Sequence, residues 1–64
     1  MTIVATYYRP SGLPSHQRRF RSVAVAALHL ECSMRDIRAA IETGKTLNAG
    51  QGFTIRITEE VPFQ

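Results

Sequence analysis

Phe20-Arg21-Ser22-Val23-Ala24-Val25-Ala26-Ala27-Leu28, followed by Ser33-Met34-Arg35-Asp36-Ile37, reads as two short helices joined by a tight turn. Ser22 suits the N-cap of the first helix, because its hydroxyl can accept from a free amide of the first turn and a run of Ala and Val follows directly. Val23, Ala26, Ala27 and Leu30 then fall on one stripe, and Phe20 is placed to pack over its start as a hydrophobic staple. In the second helix, Ser33 and Asp36 form a capping-box-like pair with Asp in the place of Glu or Gln. Asp36 also suits the positive end of the helix. Met34, Ile37 and Ile41 make an apolar face, Arg35, Arg38, Ala39 and Glu42 point elsewhere, and Gly44 supplies the left-handed residue that ends the helix. This is the grammar of a helix-turn-helix unit.

Extended segments bracket the helices. Thr2 to Tyr8 is rich in β-branched and aromatic residues and stops at Arg9-Pro10-Ser11-Gly12, so it is the first strand. Tyr7 and Tyr8 must face opposite sides of that strand, one toward the core and one free to stack on a base or a partner. Gly12 to Arg19 contains Pro14 and little that is apolar, and it reads as a basic extended loop or a poorly paired strand. After a polar loop, Phe53, Ile55 and Ile57 alternate with Thr54, Arg56 and Thr58, the period of a strand with one buried face. Antiparallel pairing of this strand with the first gives an α+β fold in the order strand, basic loop, helix, turn, helix, strand. Residues 1–58 form one domain, with 59–64, including Pro62, as a flexible tail.

A chain of 64 residues buries only about 60 % of the surface its unfolded form exposes, so the core is thin. The single Cys32 rules out an internal disulfide, and without Cys or His partners at ligand spacing it anchors no structural metal. These features fit a reducing cytoplasm. The sequence lacks both an apolar run long enough for a membrane helix and a signal peptide. The formal charge is +3, and the stretch from Arg9 to Arg21 holds four arginines and no acid, which favours a polyanionic partner.

Enzyme chemistry finds little support. His16 and His29 have no adjacent nucleophile, and the paired acids Glu59 and Glu60 fall in the expected tail. Thr43-Gly44-Lys45-Thr46 matches the end of a phosphate-binding loop, but it lacks the earlier glycine and follows a helix instead of preceding one. The expectation is a binding module that is not an enzyme and uses no cofactor.

The order of elements, the aromatic before a capping Ser (Phe20, Ser22), the Ser-capped second helix with Ile37 and Ile41, then Gly44-Lys45 and Gly52-Phe53-Thr54-Ile55, together resemble the NUMOD1 type of small DNA-binding module. Such modules occur beside nuclease domains in homing endonucleases and free-standing in phages. The resemblance covers most of the chain and implies a contact role for Arg35, Arg38 and Lys45. It departs from the family at the inter-helix turn, where Leu30-Glu31-Cys32-Ser33 has no glycine, and no nuclease domain accompanies the module.

If duplex DNA is the ligand, Arg35 and Arg38 are the side chains to reach base edges, and Lys45 binds phosphate. Backbone amides by Ser33 offer a further phosphate site, with Arg18, Arg19 and Arg21 gripping the strand across the groove. A homodimer formed through the exposed edge of the strand ribbon would present two second helices. The alternative is a phage-type inhibitor of a host protein, for which Tyr7, Tyr8 and Arg9 are interface candidates.

Overall fold

Threonine, isoleucine, valine and tyrosine pack well on a pleated surface, and they carry the chain from Thr2 to Tyr8 as strand β1. The computed structural model describes residues 2–60. Arg9-Pro10-Ser11-Gly12 forms a tight turn in which the Gly12 amide donates to the Arg9 carbonyl at 2.8 Å and the Arg9 amide to the Leu13 carbonyl at 2.8 Å. Proline presets the second position of this turn, and Gly12, at φ 93°, takes the left-handed position.

The turn sends the chain back as β2, Pro14–Phe20, paired antiparallel with β1 from Tyr8↔Pro14 to Ile3↔Phe20. Of the two readings the sequence left open here, a basic loop or a poorly paired strand, the chain takes the strand, and it is paired with β1 along its length. It carries no alternating apolar pattern because it is an edge strand exposed along its length, with only Phe20 buried. Hairpin geometry and the ladder to β1 make it a strand.

Helix α1 spans Val23–Leu30, and the Ser22 hydroxyl accepts from the Val25 amide at 3.2 Å, as the sequence predicts. Its stripe is the expected one: Ala26 and Ala27 are buried, while Val23 and Leu30 pack against the core. The turn is Glu31-Cys32-Ser33, with Glu31 at φ 55° in the left-handed position that glycine would ordinarily fill. Helix α2 spans Met34–Thr43, capped by the Ser33 hydroxyl accepting from the Asp36 amide at 3.1 Å. It ends at Gly44, φ 75°, whose amide donates to the Ala40 carbonyl at 2.9 Å. Met34, expected on the apolar face, is 45 % exposed. Ile37 and Ala40 carry the contact, joined by half-buried Ile41, while Met34 in the first turn takes no part in the core.

The polar loop expected next is instead a short strand, β3 (Thr46–Gly50), paired with β4 (Phe53–Glu60) across the two-residue turn Gln51-Gly52. Both turn residues have positive φ, 53° and 83°, the geometry whose twist matches a hairpin. β4 pairs antiparallel with β1 along its whole length, from Tyr8↔Thr54 to Thr2↔Glu60. Glu59 and Glu60, expected in the flexible tail, are thus the last residues of β4, and the remaining tail residues lie outside those described. The result is a mixed α+β fold, a four-stranded antiparallel sheet in the order β2-β1-β4-β3 with the helices inserted between β2 and β3 in sequence.

The two helices cover one face of the sheet. Ile3, Ala5, Ile55 and Ile57 from β1 and β4 meet Ala26, Ala27, Ile37 and Ala40 from the helices, with Phe20 at the end of β2. Alternation sends Val4, Thr6, Tyr8, Thr54, Arg56 and Thr58 to the opposite, uncovered face. There the Gln17 amide donates to the Thr6 hydroxyl at 3.1 Å.

Candidate nucleic-acid interface

The outward face of α2 follows from its inward one. Burial of Ile37 and Ala40 fixes the rotation of the helix, so Arg35 and Arg38, three residues apart, stand exposed as neighbours on its surface. Neither makes an ion pair among the described residues. Ser33 contributes through its cap: its hydroxyl oxygen is engaged by the Asp36 amide and orients the first turn, whose remaining amides point along the helix axis. Asp36 and Glu42 are exposed on the same helix and moderate its positive charge.

Lys45 lies one residue past the Gly44 cap, exposed, with its amide donating to the Thr43 hydroxyl at 3.3 Å. Arg56 of β4 comes to the same place, since its Nη2 lies 3.6 Å from where a Cβ on Gly44 would stand. A guanidinium there sits at the negative end of the α2 dipole. Arg56 was not among the contacts expected from the sequence. Its signal is the outward position of an alternating strand, but only the β3–β4 pairing carries it to the end of α2.

The β2 arginines do not form one grip. Arg18 and Arg19 are successive strand residues and face opposite sides of the sheet. The Arg18 guanidinium lies on the helix side, 5.3 Å from the centre of the Phe20 ring. Arg19 lies on the uncovered side and pairs with Glu60 at 3.3 Å, both side chains largely solvated, so the pair holds them only weakly. Arg21 is exposed in the link to α1, and Arg9 is exposed at the β1–β2 turn.

Tyr7 and Tyr8 divide as a strand requires. Tyr7 packs against the core and stacks on His16, the rings 4.3 Å apart and 13° from parallel, while Tyr8 is half-buried on the uncovered face. His29 is exposed and stacks on Phe20 with ring centres 5.5 Å apart. Tyr7, His29, Leu30, Glu31, Asn48, Ala49 and Ile55 line a shallow cleft of about 280 Å³. Burial and the nearby Asp36 carboxylate push the Cys32 thiol above its usual range, opposite to what a thiolate nucleophile requires. Among the described residues no three His, Cys, Asp or Glu side chains group as metal ligands, and no helix is long and apolar enough to cross a membrane. Comparisons of the chain with models of known families, with curated proteins and with solved structures return no match.

Proposed function

We propose that the protein binds nucleic acid, duplex DNA in particular, through the outward face of α2. The observation that carries this reading is the pair Arg35 and Arg38, held outward by Ile37 and Ala40 and without an ion-pair partner among the described residues. A guanidinium donates in a planar fork that matches two acceptors on a guanine edge, and two of them on one face of a ten-residue helix can address neighbouring base pairs. Lys45 and Arg56 at the far end of α2 serve phosphates, and so do the first-turn amides that Ser33 orients. The resemblance to NUMOD1-type modules supports the same assignment of Arg35, Arg38 and Lys45.

Asp36 and Glu42 keep the number of neutralised phosphates small. The two cations placed on phosphates, Lys45 and Arg56, imply roughly a tenfold loss of affinity between about 50 and 200 mM salt. Fluorescence anisotropy with a labelled random-sequence duplex measures this directly. The expected result is binding that weakens by about that factor with salt and falls at least tenfold in the Arg35→Ala/Arg38→Ala variant. A folded protein that leaves the duplex unbound at about 50 mM salt refutes the reading.

A further inference from the structure

The first helix contains no charged residue: Val23-Ala24-Val25-Ala26-Ala27-Leu28-His29-Leu30 is apolar nearly all round. Its inner side is accounted for, since Ala26 and Ala27 are buried and Val23, Val25 and Leu30 pack against the core. Its outer side carries Ala24 and Leu28, both exposed, Leu28 to 77 %. Helices of this composition ordinarily have neighbours on every side, whereas a solvated face ordinarily carries Lys, Glu or Gln.

The spacing identifies the neighbour. Ala24 and Leu28 lie four apart on one ridge, and the exposed charges flanking α1 are Arg21 before its cap and Glu31 at its end. The pairs Ala24/Leu28 and Arg21/Glu31 share one midpoint, Ala26. When two such helices lie antiparallel with their outer sides together, about a two-fold axis that passes between them at the level of Ala26, each small Ala24 receives a large Leu28, and each Arg21 faces a Glu31 of opposite charge. The helix dipoles oppose as well. A surface complementary to its own rotated copy is what an isologous dimer requires.

Going beyond nucleic-acid binding, we propose that α1 is a self-association surface through which two copies of this chain pair antiparallel, Ala24 against Leu28 and Arg21 against Glu31. The sheet edges are poorer candidates. β2 begins with Pro14 and carries Arg18 and Arg19, so pairing it with itself sets like charges near one another, while β3 is five residues long with an irregular register between Asn48 and Gly50. The device sits on a helix, not on the ribbon edge that the sequence suggested.

An eight-residue helix is only about 12 Å long, so the contact belongs to the small, weak class of interfaces, with a dissociation constant of roughly 10 µM to 1 mM. Sedimentation equilibrium without nucleic acid, from about 10 µM to a few mM at about 50 mM salt, spans that range. The expected result is an average mass rising from 7.2 kDa toward twice that value. Leu28→Lys should abolish the rise with an unchanged circular dichroism spectrum, because the side chain is mostly solvated already. Arg21→Glu should weaken association several-fold, and Arg21→Glu/Glu31→Arg should restore it. A chain that stays at 7.2 kDa up to the highest concentration, with Leu28 then left for a different protein, overturns the proposal. So does a dimer that survives Leu28→Lys, or a double variant no better than the single one. Because mass is read without nucleic acid, failure here leaves the reading of α2 standing, and failure of that reading leaves this one standing.

Discussion

At Glu31 the backbone is left-handed, φ 55°, a conformation in which a Cβ crowds the next carbonyl and which glycine enters freely. Closure of the turn over the Ala27 carbonyl, which accepts from the Glu31 and Cys32 amides, holds the residue there. Glu31→Gly should therefore stabilise the fold by roughly 0.5 to 1 kcal/mol, read by urea denaturation at concentrations too low for association. Gly52 is the opposite case. Its φ is 83° and a Cβ there would meet the Pro10 ring at 2.9 Å, so Gly52→Ala combines strain with a clash between the two hairpin turns. A loss of more than about 1 kcal/mol is expected in the same assay. Cys32 gives a test by pH: burial and then the Asp36 charge raise its folded pKa, so the folded state holds the thiol proton more tightly than the unfolded chain. Its stabilising contribution is complete below the unfolded thiol pKa and is lost as pH rises through the folded value. Iodoacetamide should alkylate native Cys32 only at higher pH than the urea-unfolded chain, and Asp36→Asn should shift the native profile to lower pH.

Among the elements, α2 depends most on its ends. Ile37 and Ala40 pin one face to the sheet, but the cap at Ser33 fixes where the helix begins and so how its first amides and Arg35 are presented. Ser33→Ala should cost about 1 kcal/mol of stability. If α2 is the nucleic-acid surface, the same change should weaken duplex binding modestly, by less than loss of the two arginines, because the helix frays while its guanidinium groups remain. β2 depends on its partner. It buries only Phe20, and the Pro10-Ser11-Gly12 turn and the β1 ladder supply what its side chains do not.

For the whole molecule the controlling fact is the thinness of the core. Among the described residues the largest fully buried side chains are Ile3, Ile37 and Ile57. Truncating such a residue to alanine costs about 2 to 5 kcal/mol. A domain of this size rarely has more than about 3 to 5 kcal/mol to lose. Ile37→Ala should consequently leave much of the chain unfolded at 25 °C, seen as a collapsed thermal transition in circular dichroism. Such a chain gains much from anything that binds only its folded form, whether a duplex on α2 or a second copy on α1.

The helices were legible because their signals are local. Ser22 and Ser33 cap within a single turn, Gly44 has an intrinsic preference for the left-handed residue, and Ile37 repeats at the helical period with Ile41. The same held for β1 and β4, whose β-branched residues alternate or cluster, and for the exposed arginines of α2. The choice between loop and strand for β2 and the strand nature of β3 were not legible, because edge strands exposed to water need no apolar pattern, and their pairing is decided by turns and by neighbours distant in sequence. The candidate site divides in the same way. Helix period and caps placed Arg35 and Arg38 off the apolar face and the resemblance pointed to them and to Lys45, whereas the arrival of Arg56 beside Gly44 and the parting of Arg18 from Arg19 depend on strand register. Local propensity and capping chemistry thus determined the helices and the first and last strands. Tertiary pairing alone decided the four-stranded sheet, the side of it on which each charge stands, and the apolar helix face that it leaves open, because those depend on contacts between residues that no local stretch contains.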